Sequence, residues 1–123
     1  MALNFTVDDG ILVIQGGGNW NFGEMKKTLK EAVRALGDRR AAGVLFDDRN
    51  SGFTGHHEDF NDMARFRKML ADRIGTKMAV VVSDDLHFGL ARMSSAIHSF
   101  YGIDIEPFRD REEARQWLSE QHQ

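Results

Sequence analysis

Hydrophobic residues alternate with polar ones at both ends of this chain, which predicts an edge strand at each end of a sheet. From Leu3 to Val7 every second residue is apolar, so one face of this strand is expected to be wet. The same alternation returns over 103–108, where Pro107 would remove a hydrogen bond from a central strand. Asp9-Gly10 follows the first strand and predicts a two-residue hairpin turn.

Three continuous apolar runs lie between these edges and predict central strands. They are Ile11–Ile14, Val44–Phe46 and Met78–Val82. Runs of this kind are apolar on both faces, so each face of the sheet needs a cover.

Four stretches between and after the strands have helical periodicity. The first spans 22–36 with Asn21 as its cap, and the second spans 57–73. The third begins after Asp84 or Asp85, and the fourth begins after Asp110. For the third helix, apolar spacing predicts an inward stripe of Leu86, Leu90, Met93, Ile97 and Phe100.

The resulting order, β-β-α-β-α-β-α-β-α, predicts a single α/β domain over 1–123 with a mixed sheet of about five strands and four helices. Repeated right-handed crossovers in one direction would place helices on one face only. Either the strand order therefore reverses, or a subunit or an apolar ligand covers the second face. We expect the helices to cover most of both faces.

Composition excludes several classes of function. The chain has 123 residues, no cysteine and a net charge of -3, with basic and acidic residues interleaved. Disulfides and thiolate chemistry are excluded, and no concentrated basic face indicates nucleic-acid binding. We see no signal peptide and no apolar run of membrane-spanning length, so we expect a cytoplasmic protein.

Carboxylates follow two strands that we expect to be neighbours. Asp47-Asp48-Arg49 ends one strand, and Ser83-Asp84-Asp85 ends the next. Ligands of open α/β sheets usually lie beyond such strand ends. These carboxylates could contact a ligand or partner, or support hydrolytic chemistry; otherwise they cap a helix and turn a loop. The candidate binding residues are Asp47, Asp48, Arg49, Ser51, Asp84, Asp85 and Arg92.

A histidine-rich segment, His56-His57-Glu58-Asp59, is the other candidate for chemistry. Helical metal ligands are needed at i and i+4, where they share a face. His57 has Asn61 at that spacing, so we expect no metal site and no cofactor.

Four segments together resemble the SpoIIAA-like branch of the STAS superfamily, also described as STAS/SEC14-like. They read VDDGILVIQGGG, VLFDDR, AVVVSDDLHFGLARM and IEPFRDREEARQWL. The resemblance implies a mixed sheet packed with helices, no cofactor, no catalysis, and either protein–protein regulation or binding of an apolar ligand. Anti-sigma-factor antagonists of this superfamily carry a phosphorylated serine in an Asp-Ser-Ser-Gly stretch at a helix start. Here the corresponding region has only Ser51, and the next helix begins later, so phosphorylation is not expected.

The leading hypothesis is a non-enzymatic binding module for a protein partner or a small apolar ligand. The alternative is a small metal- or carboxylate-dependent hydrolase. Several apolar residues near the second and third helices fall outside the predicted inward stripes, and we expect them to form a homodimer patch. They are Phe53, Phe66, Met69 and Phe88. Trp20, beside three glycines, is expected to be partly exposed.

Overall fold

The computed structural model describes residues 3–56 and 58–120. Along the chain the elements are β1 (Leu3–Asp8), β2 (Ile11–Gly16), β3 (Asn19–Trp20), α1 (Phe22–Leu36), β4 (Val44–Asp47), β5 (Gly52–Phe53), α2 (Asp59–Met69), α3 (Ala71–Ile74), β6 (Lys77–Val81), α4 (Asp85–Ser99), β7 (Asp104–Phe108) and α5 (Arg111–Ser119).

The main sheet contains five strands in the order β1-β2-β4-β6-β7. Only β1 is antiparallel to its neighbour, and the other strands are parallel. Both predicted edge strands are therefore confirmed. Asp9 and Gly10 have φ values of 55° and 79°, the left-handed conformations that a type I′ hairpin turn requires.

Helices cover the two faces unequally. The larger core lies between one face and the helices α1, α2 and α4, and it contains Leu12, Ile14 and Phe46. The smaller core lies on the other face, where Ala114 and Leu118 of α5 pack on the sheet. The sheet strands contribute to that smaller core through Ile11, Val13, Leu45, Ala79 and Val81.

The second face of the sheet is covered by a helix, but not through the reversal of strand order that the sequence analysis considered. The strand order does not reverse, because each crossover moves one place further along the sheet. Instead α5, which follows the last strand, folds onto the opposite face. Among the described residues no strand of this sheet follows α5, so the crossover rule does not constrain its side.

Most helix boundaries follow the local sequence signals. Asn21 caps α1, and its Oδ1 accepts the Glu24 N–H at 2.9 Å. The second predicted helix, 57–73, is instead divided into α2 and α3 at Leu70, and His57 lies outside the described residues. The strands β3 and β5 were not predicted, because two residues each are too few to show a period; they pair in parallel.

The inward face of α4 differs from the predicted stripe. Of the five predicted residues, Ile97 packs against the larger core and Leu90 is half-buried, but Leu86, Met93 and Phe100 are 69%, 47% and 88% exposed. Ala91, Ser94 and His98 are buried instead. The helix presents these small and polar side chains to the core. Ala91 and Ser94 border a pocket there, and His98 contacts a buried arginine, both described below.

The predicted homodimer patch is not a continuous surface. Phe66 is 9% exposed and belongs to the larger core, and Phe53 packs between Trp20 and Phe60 at ring-centroid distances of 5.2 and 5.5 Å. Phe88 is half-buried beside two arginines, and Met69 alone is strongly exposed, at 79%. Among the described residues, no helix is both long and apolar enough to span a bilayer.

Candidate ligand pocket

A small cavity of about 60 Å³ lies between the sheet and the helices α2 and α4. Residues of one face of each element line it, because strand side chains alternate and helix side chains share a face at intervals of three, four and seven. The lining consists of Trp20, Phe46, Asp48, Phe53, Phe60, Met63, Arg67, Val80, Val82, His87, Leu90, Ala91, Ser94 and Ile105. The cavity is thus mainly apolar, with a few polar groups.

Asp48 is the buried carboxylate of this pocket and lies just beyond β4. Its Oδ1 accepts hydrogen bonds from Trp20 Nε1 and Ser51 Oγ, each at 3.1 Å. Burial raises the pKa of Asp48 to about 6, although these two hydrogen bonds and the charge of Arg67 act in the opposite direction.

Trp20 is only 4% exposed, so the expectation of a partly exposed indole is wrong. The pairing of β3 with β5 carries the indole over the sheet, where it stacks on Phe46 at 6.1 Å. Its N–H reaches Asp48, 28 positions further along the chain.

Arg67 is the buried cation of the pocket and is 4% exposed. Its Nη1 donates to His98 Nε2 at 3.0 Å, its Nη2 donates to Met25 Sδ at 3.0 Å, and its Cζ lies 4.9 Å from the centre of the Phe46 ring. Its Nε–H is buried without a hydrogen-bond partner among the described residues. Desolvation lowers the pKa of Arg67 to about 10, so the guanidinium still carries its charge at neutral pH.

His98 is fully buried beside Arg67. Its Nδ1 lies 2.8 Å from the Ser94 carbonyl oxygen, which can only accept a hydrogen bond. The proton is therefore on Nδ1, and Nε2 presents a lone pair to Arg67. Desolvation and the Arg67 charge lower the pKa of His98 to about 3, which keeps the ring neutral.

Asp47 lies on the other face of the sheet from Asp48, since successive strand residues point to opposite sides. Arg49 binds it through Nη2 at 2.7 Å and Nε at 2.9 Å, and Arg111 of α5 binds it at 3.0 Å. The hydrogen bonds from Arg49 hold the pKa of Asp47 below its usual value, against the effect of burial. The two neighbouring aspartates therefore cannot act as a carboxylate pair.

A second, polar depression of about 320 Å³ surrounds Asp47. Arg49 and Arg111 line it, but both are already bound to that carboxylate. Although this depression is larger, its charged groups satisfy one another, so the apolar pocket is the stronger candidate site.

The remaining predicted site residues do not converge on one point. Asp84 caps α4 and accepts the His87 N–H at 2.8 Å, and this bond, with the imidazole contact, lowers the pKa of Asp84. Asp85 pairs with Arg109, and the Arg92 guanidinium lies 5.2 Å from the centre of the Phe88 ring.

His87 brings an imidazole to the rim of the pocket. Its Nδ1 lies 2.8 Å from Asp84, and its Nε2 lies 2.7 Å from the point that a Cβ at Gly52 would occupy. Only glycine at position 52 therefore allows this approach. Within 3–56 and 58–120, no hydroxyl hydrogen-bonds to this Nε2, so the pair lacks an associated nucleophile.

Two pocket-side residues, Arg67 and His98, were not predicted from the sequence, although Arg67 does carry a sequence signal. Arg67 stands seven positions after Phe60 and four after Met63 in the second predicted helix, so it shares a face with two large apolar residues, which is an unusual place for a charge. His98 could not be identified in this way, because the predicted stripe of α4 was misplaced.

No group of three or more potential metal ligands is assembled in the described part of the chain. In the histidine-rich segment, the His56 backbone N–H donates to Asp59 Oδ2 at 3.1 Å, while His57 lies outside the described residues.

Comparison with solved structures finds a protein of the same architecture. It is the crystal structure of an uncharacterized protein from the DUF3478 family, with a SpoIIAA-like fold, from Shewanella loihica PV-4. The two chains are 15% identical, the TM-score is 0.59, and the match covers 95% of this chain and 92% of the other. No family model and no curated protein matches this chain. The likeness concerns the fold alone, and this protein has the SpoIIAA-like fold that its sequence resemblance implied.

Proposed function

We propose that the protein is a non-enzymatic binding module that takes a small, mainly apolar molecule into the pocket between β4, β6, α2 and α4. The observation that supports this most directly is the pocket itself, an apolar cavity with a few convergent polar groups. Its floor contains Phe46 and Ile105, which are 1% and 2% exposed, and its rim includes the half-buried Leu90.

The hydrolase alternative has less support from the same residues. Asp47 is bound to two arginines, and Asp84 is committed to its helix cap and to His87. Hydrolysis by carboxylates requires either a pair that shares a substrate or a carboxylate that orients a base beside a nucleophile. Neither arrangement is present among the described residues.

Ligand binding in the pocket is tested by replacing a small lining residue with a larger one that occupies the cavity. Ala91 lines the pocket and is 8% exposed, whereas Ala96 lies on the exposed face of the same helix. We expect pentanamide, a small neutral probe, to shift the methyl NMR signals of Val80 and Leu90 in a saturable way. Ala91→Leu should abolish these shifts, because the added carbons occupy the cavity, and Ala96→Leu should preserve them. Equal titration of both variants would contradict the proposal.

A second candidate function, contact with a protein partner, is favoured by the surface of α4. Leu86, Met93 and Phe100 are exposed and spaced seven residues apart, so they form one apolar line along the helix. We call this line the α4 stripe. Heptad spacing is typical of helix–helix contacts.

A further inference from the structure

We propose that the ligand of the pocket is a short apolar carboxylate, whose carboxylate group pairs with the Arg67 guanidinium. This inference rests on the proposed function and adds the chemical class of the ligand. It is carried by the contrast between an apolar cavity and one buried cation with incomplete hydrogen bonding.

Arg67 has no carboxylate counter-ion in direct contact. Its two hydrogen-bond acceptors are a neutral imidazole and a thioether sulfur, and none of the ion pairs among the described residues includes it. A guanidinium offers five N–H groups, and only two of them are engaged in these bonds. Asp48 acts on the Arg67 charge only without direct contact, by raising its pKa. A buried charge without a directly paired counter-ion is costly, so an anion that reaches this group gains both charge compensation and hydrogen bonds.

Most of the remaining lining of the cavity is apolar, which favours a small apolar body for the rest of the ligand. About 60 Å³ holds about four to six water-sized groups, slightly fewer than the seven non-hydrogen atoms of a five-carbon carboxylate, whose chain end would reach the half-buried Leu90. Phe60, Met63, Val80 and Ile105 would surround that chain. They offer no polar atom for a hydroxylated or multiply charged ligand to engage.

Asp48 opposes the ligand charge from across the same pocket. Its pKa of about 6 means that it becomes neutral in mildly acidic solution. Carboxylate binding should therefore strengthen as the pH falls from 8 toward 6. His98 stays neutral over this range. The other titratable or charged groups that line the pocket are Arg67 and His87, and the charge of Asp47 acts on Asp48 from the other face of the sheet, where it raises the Asp48 pKa.

The test compares pentanoate with its neutral analogue pentanamide, by NMR titration of the wild type at pH 6. We expect pentanoate to bind at least about tenfold more tightly, a difference of about 1.4 kcal/mol. In Arg67→Met this preference should disappear, while the affinity for pentanamide changes less than about threefold. Arg65→Met is the matched control, because Arg65 is exposed on the same helix; it should keep the preference.

The outcomes separate this inference from the proposed function. If both probes bind the wild type equally, or pentanamide binds better, the carboxylate inference is wrong and the pocket function stands. If neither probe binds, both fail. If Arg67→Met does not fold, the test uses the NMR signal of the Arg67 Nε–H in the wild type. We expect this signal to shift on addition of pentanoate and to stay unchanged with pentanamide. Any other result overturns the inference.

Discussion

At the scale of single residues, the two adjacent aspartates at the end of β4 have pKa values shifted in opposite directions. Asp47 meets two arginines on the α5 side, and Asp48 meets Trp20 and Ser51 inside the larger core. One aspartate is thereby held in its charged form, and burial makes the other easier to protonate. Neighbouring residues with the same side chain thus contribute to stability with opposite dependence on pH.

Asp48→Asn should stabilise the protein at pH 7 by about 2–3 kcal/mol, because an ionised carboxylate is no longer buried. The pKa of Asp48 is about 6 in the folded protein, above its ordinary value of 3.8, so its proton favours folding at low pH and this contribution is lost as the pH rises through 6. The advantage of the variant should therefore shrink to about 0.5 kcal/mol at pH 4 and disappear below the ordinary pKa of 3.8. Urea unfolding of both proteins from pH 4 to pH 7 measures it.

The informative quantity is the difference in unfolding free energy between the wild type and Asp48→Asn. The unfolding free energy of either protein alone also contains the contribution of His98, which changes with pH in the opposite direction. Its pKa is lowered from 6.5 to about 3, so the unfolded chain takes up a proton first and stability falls as the pH drops below about 6.5. In the wild type the two effects offset each other between about pH 4 and 6. A difference that stays constant with pH would contradict the burial of Asp48. Asp104→Asn, at an exposed site, is the control substitution for the same series of measurements.

At the scale of elements, the five strands of the main sheet and most caps could be predicted, but the rotation of α4 could not. Continuous apolar runs such as Val44–Phe46 identify central strands, because such a pattern needs two covered faces. Placing the most apolar stripe inward fails for α4, whose inward face carries Ser94 and His98. The partner that makes a polar face favourable there is Arg67, 31 residues from His98, and no local pattern reveals such a pairing.

Met93→Lys combined with Phe100→Lys tests the α4 stripe. Because these side chains are 47% and 88% exposed, the free energy of unfolding should change by less than about 0.5 kcal/mol for each substitution. If they were inward, as the sequence predicted, the loss would be several kcal/mol. We expect sedimentation velocity at high micromolar concentration to show self-association of the wild type and a monomeric variant. A monomeric wild type at this concentration would contradict self-association through the α4 stripe.

At the scale of the whole molecule, the sheet separates two cores of unequal size, and one helix closes the smaller core. The sequence predicted covers on both faces but not which element supplies the second one. The helix itself was predicted from its cap: Asp110 Oδ1 accepts the Glu112 N–H at 3.2 Å. The face of the sheet on which α5 packs depends on tertiary contacts, and the hydrophobic periodicity of the sequence does not indicate that face.

Leu118→Ala should destabilise the protein by about 2–4 kcal/mol, because Leu118 is fully buried against the sheet and the substitution leaves a cavity. Gln116→Ala, two positions earlier on the exposed side of α5, is the control and should change stability by less than about 0.5 kcal/mol. Equal stabilities of the two variants in thermal unfolding would show that α5 contributes little to the second core.

The position of α5 after the last strand also matters during synthesis. Ribosomes add about 5–20 residues per second, so the five strands leave the exit tunnel before the helix that covers their second face. Until α5 emerges, Val13, Leu45 and Val81 lack the cover that Ala114 and Leu118 give them in the folded protein. A nascent chain that has emerged only as far as Asp110 therefore exposes apolar surface that the folded protein buries, and the little more than two helical turns of α5 supply the cover.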